Sequence, residues 1–245
     1  MSFVHASPDR EAVRRAYDLW SHVYDVVAKP WEHGARMQAL AALGTGAGHR
    51  ILDVGIGPGA FFSEVVRAAG PGASVYGVDF SDKMVRHARR RLRREGGSGR
   101  ATVIEADALT LPFADESFDT VTSSYVLDLM PIEVILCALN EFRRVLRPGG
   151  RTVIVNLTKP SPDRTTWYER CYHALPPSAQ AYVLGGCRPV RLAHIVKAAG
   201  FSPPRRTVVR QALSSEILVA SKPALSLSGP SGVRSAPAMA RAGGV

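Results

Sequence analysis

Apolar positions follow two rhythms along the chain. Val13, Tyr17, Trp20, Val23, Tyr24 and Val27 recur at spacings of three and four, the stripe of an amphipathic helix within 9–44. Lys29-Pro30 should interrupt it, because the residue before a proline avoids helical geometry. A second helix, 31–43, should then end at Gly44. From residue 50 short Val- and Ile-rich runs alternate with helical windows. Strands are expected over 50–54, 74–79, 101–105, 118–123 and 151–156, and helices over 60–69, 82–94 and 131–146. Ser81 is the expected N-cap of helix 82–94. This alternation predicts a mostly parallel sheet with helices on both faces.

The alternation pauses over 157–189, where prolines and glycines are interleaved with Trp167, Tyr168, Tyr172 and Tyr182. Such an insert over the carboxyl edge of the sheet should shape a pocket. A helix over 190–199 follows. Strands near 205–211 and 215–220, joined by a short turn, should pair antiparallel. The expected division is an N-terminal helical region over 1–44, a sheet domain over 45–221 and a disordered tail over 222–245, whose Ala, Ser, Gly and Pro cannot bury a core.

Composition narrows the class. The chain has 245 residues, 46% of them hydrophobic and 21% charged, which excludes wholesale disorder. No window approaches the length of a membrane-spanning apolar run. The N-terminal stretch has acids and lacks the apolar core of a secretory signal. Cys137, Cys171 and Cys187 are too few and too scattered for a disulfide framework, so a reducing cytoplasm is expected. Cys137 reads as a small buried hydrophobe within a helical pattern.

Net charge is +10, which on its face suggests an anionic partner. Residues 86–100 carry +6 of it and the tail from 223 carries +2, leaving +2 for the rest. Within helix 82–94, Met84, Ala88 and Leu92 recur every four residues and should pack inward, leaving the arginines on the outer face. Basic residues are not gathered around a pocket mouth, so no nucleic-acid partner is expected.

The candidate chemistry begins at ILDVGIGPGA, 51–60. A strand ending in Asp53 runs into Gly55, Gly57 and Gly59 and then a helix. Such glycines let a backbone approach a ligand closely, and the helix start offers unpaired N–H groups. The loop also satisfies the dinucleotide pattern through Gly55, Gly57 and Ala60. Asp79 ends the second strand, where a carboxylate can accept both hydroxyl hydrogens of a ribose. Asp107 follows the third strand and can face an adenine amino group, with Ala108 offering its N–H.

DVGIGPG, GVDFS, DALTLPF, SFDTV and VLRPGG, in that order over roughly 45–156, resemble the class I S-adenosylmethionine-dependent methyltransferases. YDLWSHVYD (17–25), NLTKP (156–160) and YHALPP (172–177) further resemble the ubiquinone/menaquinone C-methyltransferase branch. The resemblance implies a seven-stranded, Rossmann-like sheet with a C-terminal antiparallel hairpin, and S-adenosyl-L-methionine as cofactor. Gly55, Gly57 and Gly59 would line the cofactor's amino-acid portion, with Asp53 supporting that loop or touching the ligand directly. Asp79 would bind the ribose beside Phe80, and Asp107 and Ala108 would hold the adenine edge. Ser124 and Tyr125 would lie near the sulfur. Tyr24, and Tyr17 with it, would come from a lid helix within 1–44.

The quinone enzymes carry Arg-Asn where this chain has Asp128-Leu129, which argues against a quinone acceptor. Asp128 and His173 are the candidate bases; the plainer reading of Asp128 is a helix N-terminal charge near Pro131. Asp119 should orient the fourth strand. No metal-ligand constellation is apparent. The expected acceptor is a small, rather apolar molecule (a quinone precursor, phenol, polyketide or other secondary metabolite), methylated at C or O. Two other readings are phospholipid-headgroup N-methylation, with the Arg-rich helix 86–94 on a membrane, and a cofactor-binding regulator without catalysis.

Overall fold

A computed structural model describes residues 24–44, 46–97, 99–159, 170, 174–176, 188–210 and 213–224, with the side chains of 24–31 outside the description. The seven strands are β1 (Arg50–Val54), β2 (Ser74–Asp79), β3 (Ala101–Glu105), β4 (Phe118–Ser124), β5 (Leu146–Leu157), β6 (Arg205–Val209) and β7 (Ser215–Ser221). The helices are α1 (Tyr24–Ala42), α2 (Ala60–Ala68), α3 (Asp82–Arg94), α4 (Ile132–Val145) and α5 (Ala193–Ala198), with a 3-10 turn at Leu127–Leu129.

The strands form one sheet in the order β3-β2-β1-β4-β5-β7-β6. β1 to β5 run parallel, and β7 lies antiparallel between β5 and β6. This is the seven-stranded, Rossmann-like arrangement with a terminal hairpin that the resemblance implied, built on the mostly parallel sheet that the alternation predicted. Successive β-strand side chains point to opposite faces, so the sheet separates two apolar layers. Ile51, Val75 and Val153 pack with Ala35, Phe62 and Ala88 of α1, α2 and α3. Leu52, Val121 and Ile154 pack with Ile135, Phe142 and Val196 of α4 and α5.

Four sequence expectations are corrected. α1 runs unbroken through Lys29-Pro30. A proline inside a helix removes one hydrogen bond, and burial of the helix's inner face can outweigh that loss; Ala35, Ala39 and Leu43 are fully buried in the core. Cys137 is exposed. The inward stripe of α4 is Ile135, Ala138, Leu139, Phe142 and Val145, which turns position 137 outward. Lys222 extends the β5–β7 pairing and does not belong to the tail. Its backbone exchanges hydrogen bonds with Gly149 and Gly150, and its ammonium donates to Leu146 O at 2.8 Å. The fifth strand begins at Leu146, earlier than 151, because Leu146 pairs with Phe118 of β4 and Gly149 and Gly150 pair with Lys222. Among the described residues no helix is long and apolar enough to cross a membrane.

Candidate functional site

A cavity opens at the carboxyl ends of the parallel strands, where β1 and β4 lie side by side and the connections diverge to either side. In open α/β sheets this divergence creates a crevice that ligands use. Asp53 and Gly55 reach it from β1, Asp79 and Phe80 from β2, Asp107 and Ala108 from β3, and Ser124 and Tyr125 from β4. Gly57 lines it as well. Residues scattered over more than seventy positions thus converge because each follows a parallel strand.

The glycines have separate reasons. Gly57 has φ +54°, and a Cβ there would meet nothing within 4 Å. Its open face is the one through which a ligand can approach the backbone. A Cβ on Gly55 would lie 2.3 Å from Val126 Cγ2, and one on Gly59 2.9 Å from the Ala88 backbone. Gly59 does not line the cavity; it is the N-cap of α2, in the left-handed region at φ 86°, pressed against α3.

Asp79 is 6% exposed. Its Oδ2 accepts from Gly57 N at 2.8 Å and its Oδ1 from Ser81 N at 3.0 Å. These two backbone bonds tie the Asp79 carboxylate to both the glycine loop and the start of α3. Ser81 caps α3 through its hydroxyl, which accepts from Met84 N at 3.3 Å. Asp107 folds back on its own loop, Oδ1 accepting from Leu109 N at 3.0 Å, an Asx turn. Phe80 is a large exposed hydrophobe at the rim.

Ser124 Oγ is buried with no hydrogen-bond partner among the described residues. Tyr125 takes a left-handed φ of 57°. Its hydroxyl shares a hydrogen bond with Ser215 Oγ at 2.8 Å, and burial raises its pKa. That bond ties the end of β4 to β7.

Asp128 is fully buried but does not line the cavity. The residues that follow it, Leu129, Met130 and Pro131, do line the cavity. Its Oδ2 accepts from Leu157 N at 2.9 Å, and its carbonyl accepts from Arg188 N at 3.1 Å. Burial pushes its carboxyl up to about 7. Tyr17, His22 and His173 lie outside the described residues, as does the side chain of Tyr24. Asp119 orients the strands as expected, accepting from Arg50 N and from Arg147 Nη1, both at 2.8 Å.

Arg36 was not signalled by any motif, yet it lines the cavity from α1. It pairs with Glu32 at 2.6 Å and lies over the Phe61 ring, 5.7 Å from its centroid. Arg144 was missed too. It donates to Phe113 O at 2.7 Å and Leu111 O at 2.9 Å, fixing the loop that carries Asp107 and Ala108. An arginine one helical turn before RPGG has no signature of its own; only the fold brings that helix to the loop.

A family model described as a methyltransferase domain matches residues 51–150. The demethylmenaquinone methyltransferase of Mycobacterium sp. (strain KMS) is 35% identical over 190 residues, which cover 77% of this chain and 76% of that protein. The ubiquinone/menaquinone biosynthesis C-methyltransferase of Geobacter sulfurreducens is 32% identical over 173 residues, 66% of this chain and 64% of that protein. The chain spans less than two thirds of the length of several curated relatives it matches. Among solved structures, the (4+2)-cyclase SpnF superposes with a TM-score of 0.73 at 20% identity, covering 91% of this chain and 100% of that one.

Proposed function

The chain belongs to the class I S-adenosylmethionine-dependent methyltransferases, and from that premise we propose that it methylates a small, rather apolar acceptor at carbon or oxygen. The observation that carries this reading is a cavity lined by acids and apolar side chains together: Asp53, Asp79 and Asp107 with Leu129, Met130, Pro131 and Val134.

The residues fit the methyl donor. Gly57 presents open backbone, and Asp53 Oδ2 and Ser124 Oγ are buried without a described partner. We assign the ribose hydroxyls to Asp79, the adenine to Phe80, Asp107 and Ala108, and the amino-acid end to the Gly55–Gly57 loop. We assign Tyr24 to the lid side of the same ligand, and Gly59 to the packing that holds the loop. When bound, the cofactor supplies an electrophilic methyl group on a sulfonium. The protein's part is to align an acceptor with that methyl and to keep water out. We assign Ser124 and Tyr125, which line the cavity, to the neighbourhood of the sulfur, and the apolar side chains would exclude water from the acceptor. We assign Asp128 to holding those side chains in place, since its carboxylate faces Leu157 and not the cavity; His173 is the other base candidate.

Relatives named for quinone methylation make quinone-like rings the first acceptors to try, while Asp128-Leu129 favours a different ring. The test is incubation with a methyl-labelled donor and a panel of phenols, quinone precursors and polyketides, read by mass. A labelled product on one of these is expected; turnover confined to RNA or protein would overturn the reading. The label is needed because a neighbour of this fold is named a cyclase, and fold alone does not fix chemistry.

A second reading, headgroup N-methylation at a membrane, draws on the exposed arginines 86, 89, 90, 93 and 94 of α3. Helix geometry weighs against it. α3 starts beside the cavity at Ser81 and runs about 20 Å back toward the start of β3, so Arg93 and Arg94 lie far from the mouth. Liposome co-sedimentation lost on reversing Arg90, Arg93 and Arg94 to Glu would favour it.

A further inference from the structure

Tyr125 lines the cavity, and its hydroxyl shares a 2.8 Å hydrogen bond with Ser215 Oγ at the start of β7. A hydroxyl carries one hydrogen and accepts through its lone pairs. The mutual bond uses one of the pair's two hydrogens, whichever oxygen donates it. Neither hydroxyl donates to any other described residue, so one O–H stays unspent. Ser215 is fully buried and Tyr125 is 4% exposed. An unspent donor in such a place carries a desolvation penalty that a ligand oxygen would relieve. Tyr125 reaches the cavity and Ser215 does not. The arrangement that serves a ligand therefore has Ser215 donating to Tyr125 and Tyr125 donating onward.

The backbone supports the same reading. Tyr125 holds φ at 57°, a conformation that bulky residues rarely adopt. Its N–H donates to Val155 O at 2.8 Å, and its hydroxyl is tied to Ser215, so both ends of the residue are fixed. Backbone strain that the surroundings over-determine gathers at ligand sites. The charged groups that act on the hydroxyl are Glu32 and Arg36 on α1 and Asp128 after β4. Glu32 and Arg36 pair with each other at 2.6 Å. Burial raises the Tyr125 pKa above its usual range, so the hydroxyl stays a neutral donor.

We propose that the Tyr125–Ser215 pair receives an oxygen of the methyl acceptor: Tyr125 donates its hydrogen to a carbonyl or hydroxyl oxygen on an otherwise apolar molecule, and Ser215 positions Tyr125 by donating to its oxygen. The inference rests on the methyltransferase reading and narrows the acceptor class to oxygenated apolar compounds; oxygen-free hydrocarbons fall outside it. The contact is a hydrogen bond only, and no proton leaves Tyr125. The two residues stand 90 positions apart, so no motif announces the pair.

The experiment is calorimetry on the whole chain saturated with S-adenosylhomocysteine. The probes are 1-indanone and indane, the same frame with and without a carbonyl. Tyr125→Phe should weaken 1-indanone about tenfold and leave indane within about twofold. Ser215→Ala should weaken 1-indanone by less, about threefold, and spare indane. A cooperative thermal melt of each variant shows that it is folded. Infrared spectra supply a second readout: the C=O stretch of 1-indanone, isotope-labelled at the carbonyl carbon, falls in frequency when its oxygen accepts a hydrogen bond. At saturating probe that stretch should rise in Tyr125→Phe. No binding of 1-indanone, equal weakening of both probes by Tyr125→Phe, or a stretch that Tyr125→Phe leaves in place would overturn the receptor. Failure of S-adenosylhomocysteine to bind the unmodified chain would instead overturn the methyltransferase reading.

Discussion

Asp79 Oδ2 accepts the amide hydrogen of Gly57 at 2.8 Å, linking the acid that ends β2 to the loop that follows β1. The same carboxylate holds Ser81 N, the start of α3. Asp79 thus shapes the glycine loop, and its proposed contact with the ribose would be a second role for the same carboxylate. Asp79→Ala should lose both roles and weaken S-adenosylmethionine by about 10- to 100-fold, as expected for a charged hydrogen-bonding group. Asp79→Asn retains one acceptor oxygen and should fall between. Calorimetric Kd values equal to the unmodified chain would remove Asp79 from the ribose.

The glycine loop separates packing from binding. Gly59→Ala adds a left-handed penalty of roughly 1–2 kcal/mol to a clash with the Ala88 backbone. It should lower Tm clearly. Gly57→Ala meets open space, so only the backbone penalty applies and the melt should shift less. Its methyl would instead project toward the ligand and should reduce donor affinity more than stability. Thermal melts and titrations on both variants check the split; a larger stability loss at Gly57 than at Gly59 would reverse the assignment.

Arg144 supports the adenine side from outside the cavity. It donates to the Leu111 and Phe113 carbonyls, and its partner Glu141 accepts from Leu111 N at 2.9 Å. Arg144→Met should therefore cost about 1–3 kcal/mol and loosen the loop bearing Asp107 and Ala108. Methylthioadenosine affinity should fall with it. An unchanged affinity in a destabilised variant would confine Arg144 to stability alone.

Elements with their own local signals were legible in the sequence. Val- and Ile-rich runs placed β1 to β5, Ser81 announced the start of α3, and the motif order aligned Asp79, Asp107 and Ser124 with strand ends. What escaped was set by tertiary context. Nothing local tells that the inner face of α1 is buried deeply enough to carry Pro30, or that Arg36 on that helix reaches the Asp53 side of the cavity. Cys137 shows the limit of periodicity: a helical apolar pattern locates a stripe, and one or two positions of phase decide which side faces water. Asp128 sits at the strand end where a base would be expected, but the backbone turns its carboxylate toward Leu157.

That burial of Asp128 makes a pH prediction. Its carboxyl rises from 3.8 to about 7, first through desolvation, with Leu157 N opposing. The folded chain therefore holds this proton more tightly than the unfolded chain. The sign follows: the group's contribution to stability is complete below about pH 4 and is lost as pH climbs toward 7. Asp128→Asn keeps an acceptor oxygen for Leu157 N and carries no charge. Relative to the unmodified chain it should gain stability between about pH 4 and 7, approaching about 1.4 kcal/mol per pH unit at most, and plateau beyond. Denaturant melts of both proteins from pH 4 to 9 measure the difference. A difference independent of pH would mean that Asp128 is already ionised in its buried site, with a cation, Arg188 first among the candidates, holding it so.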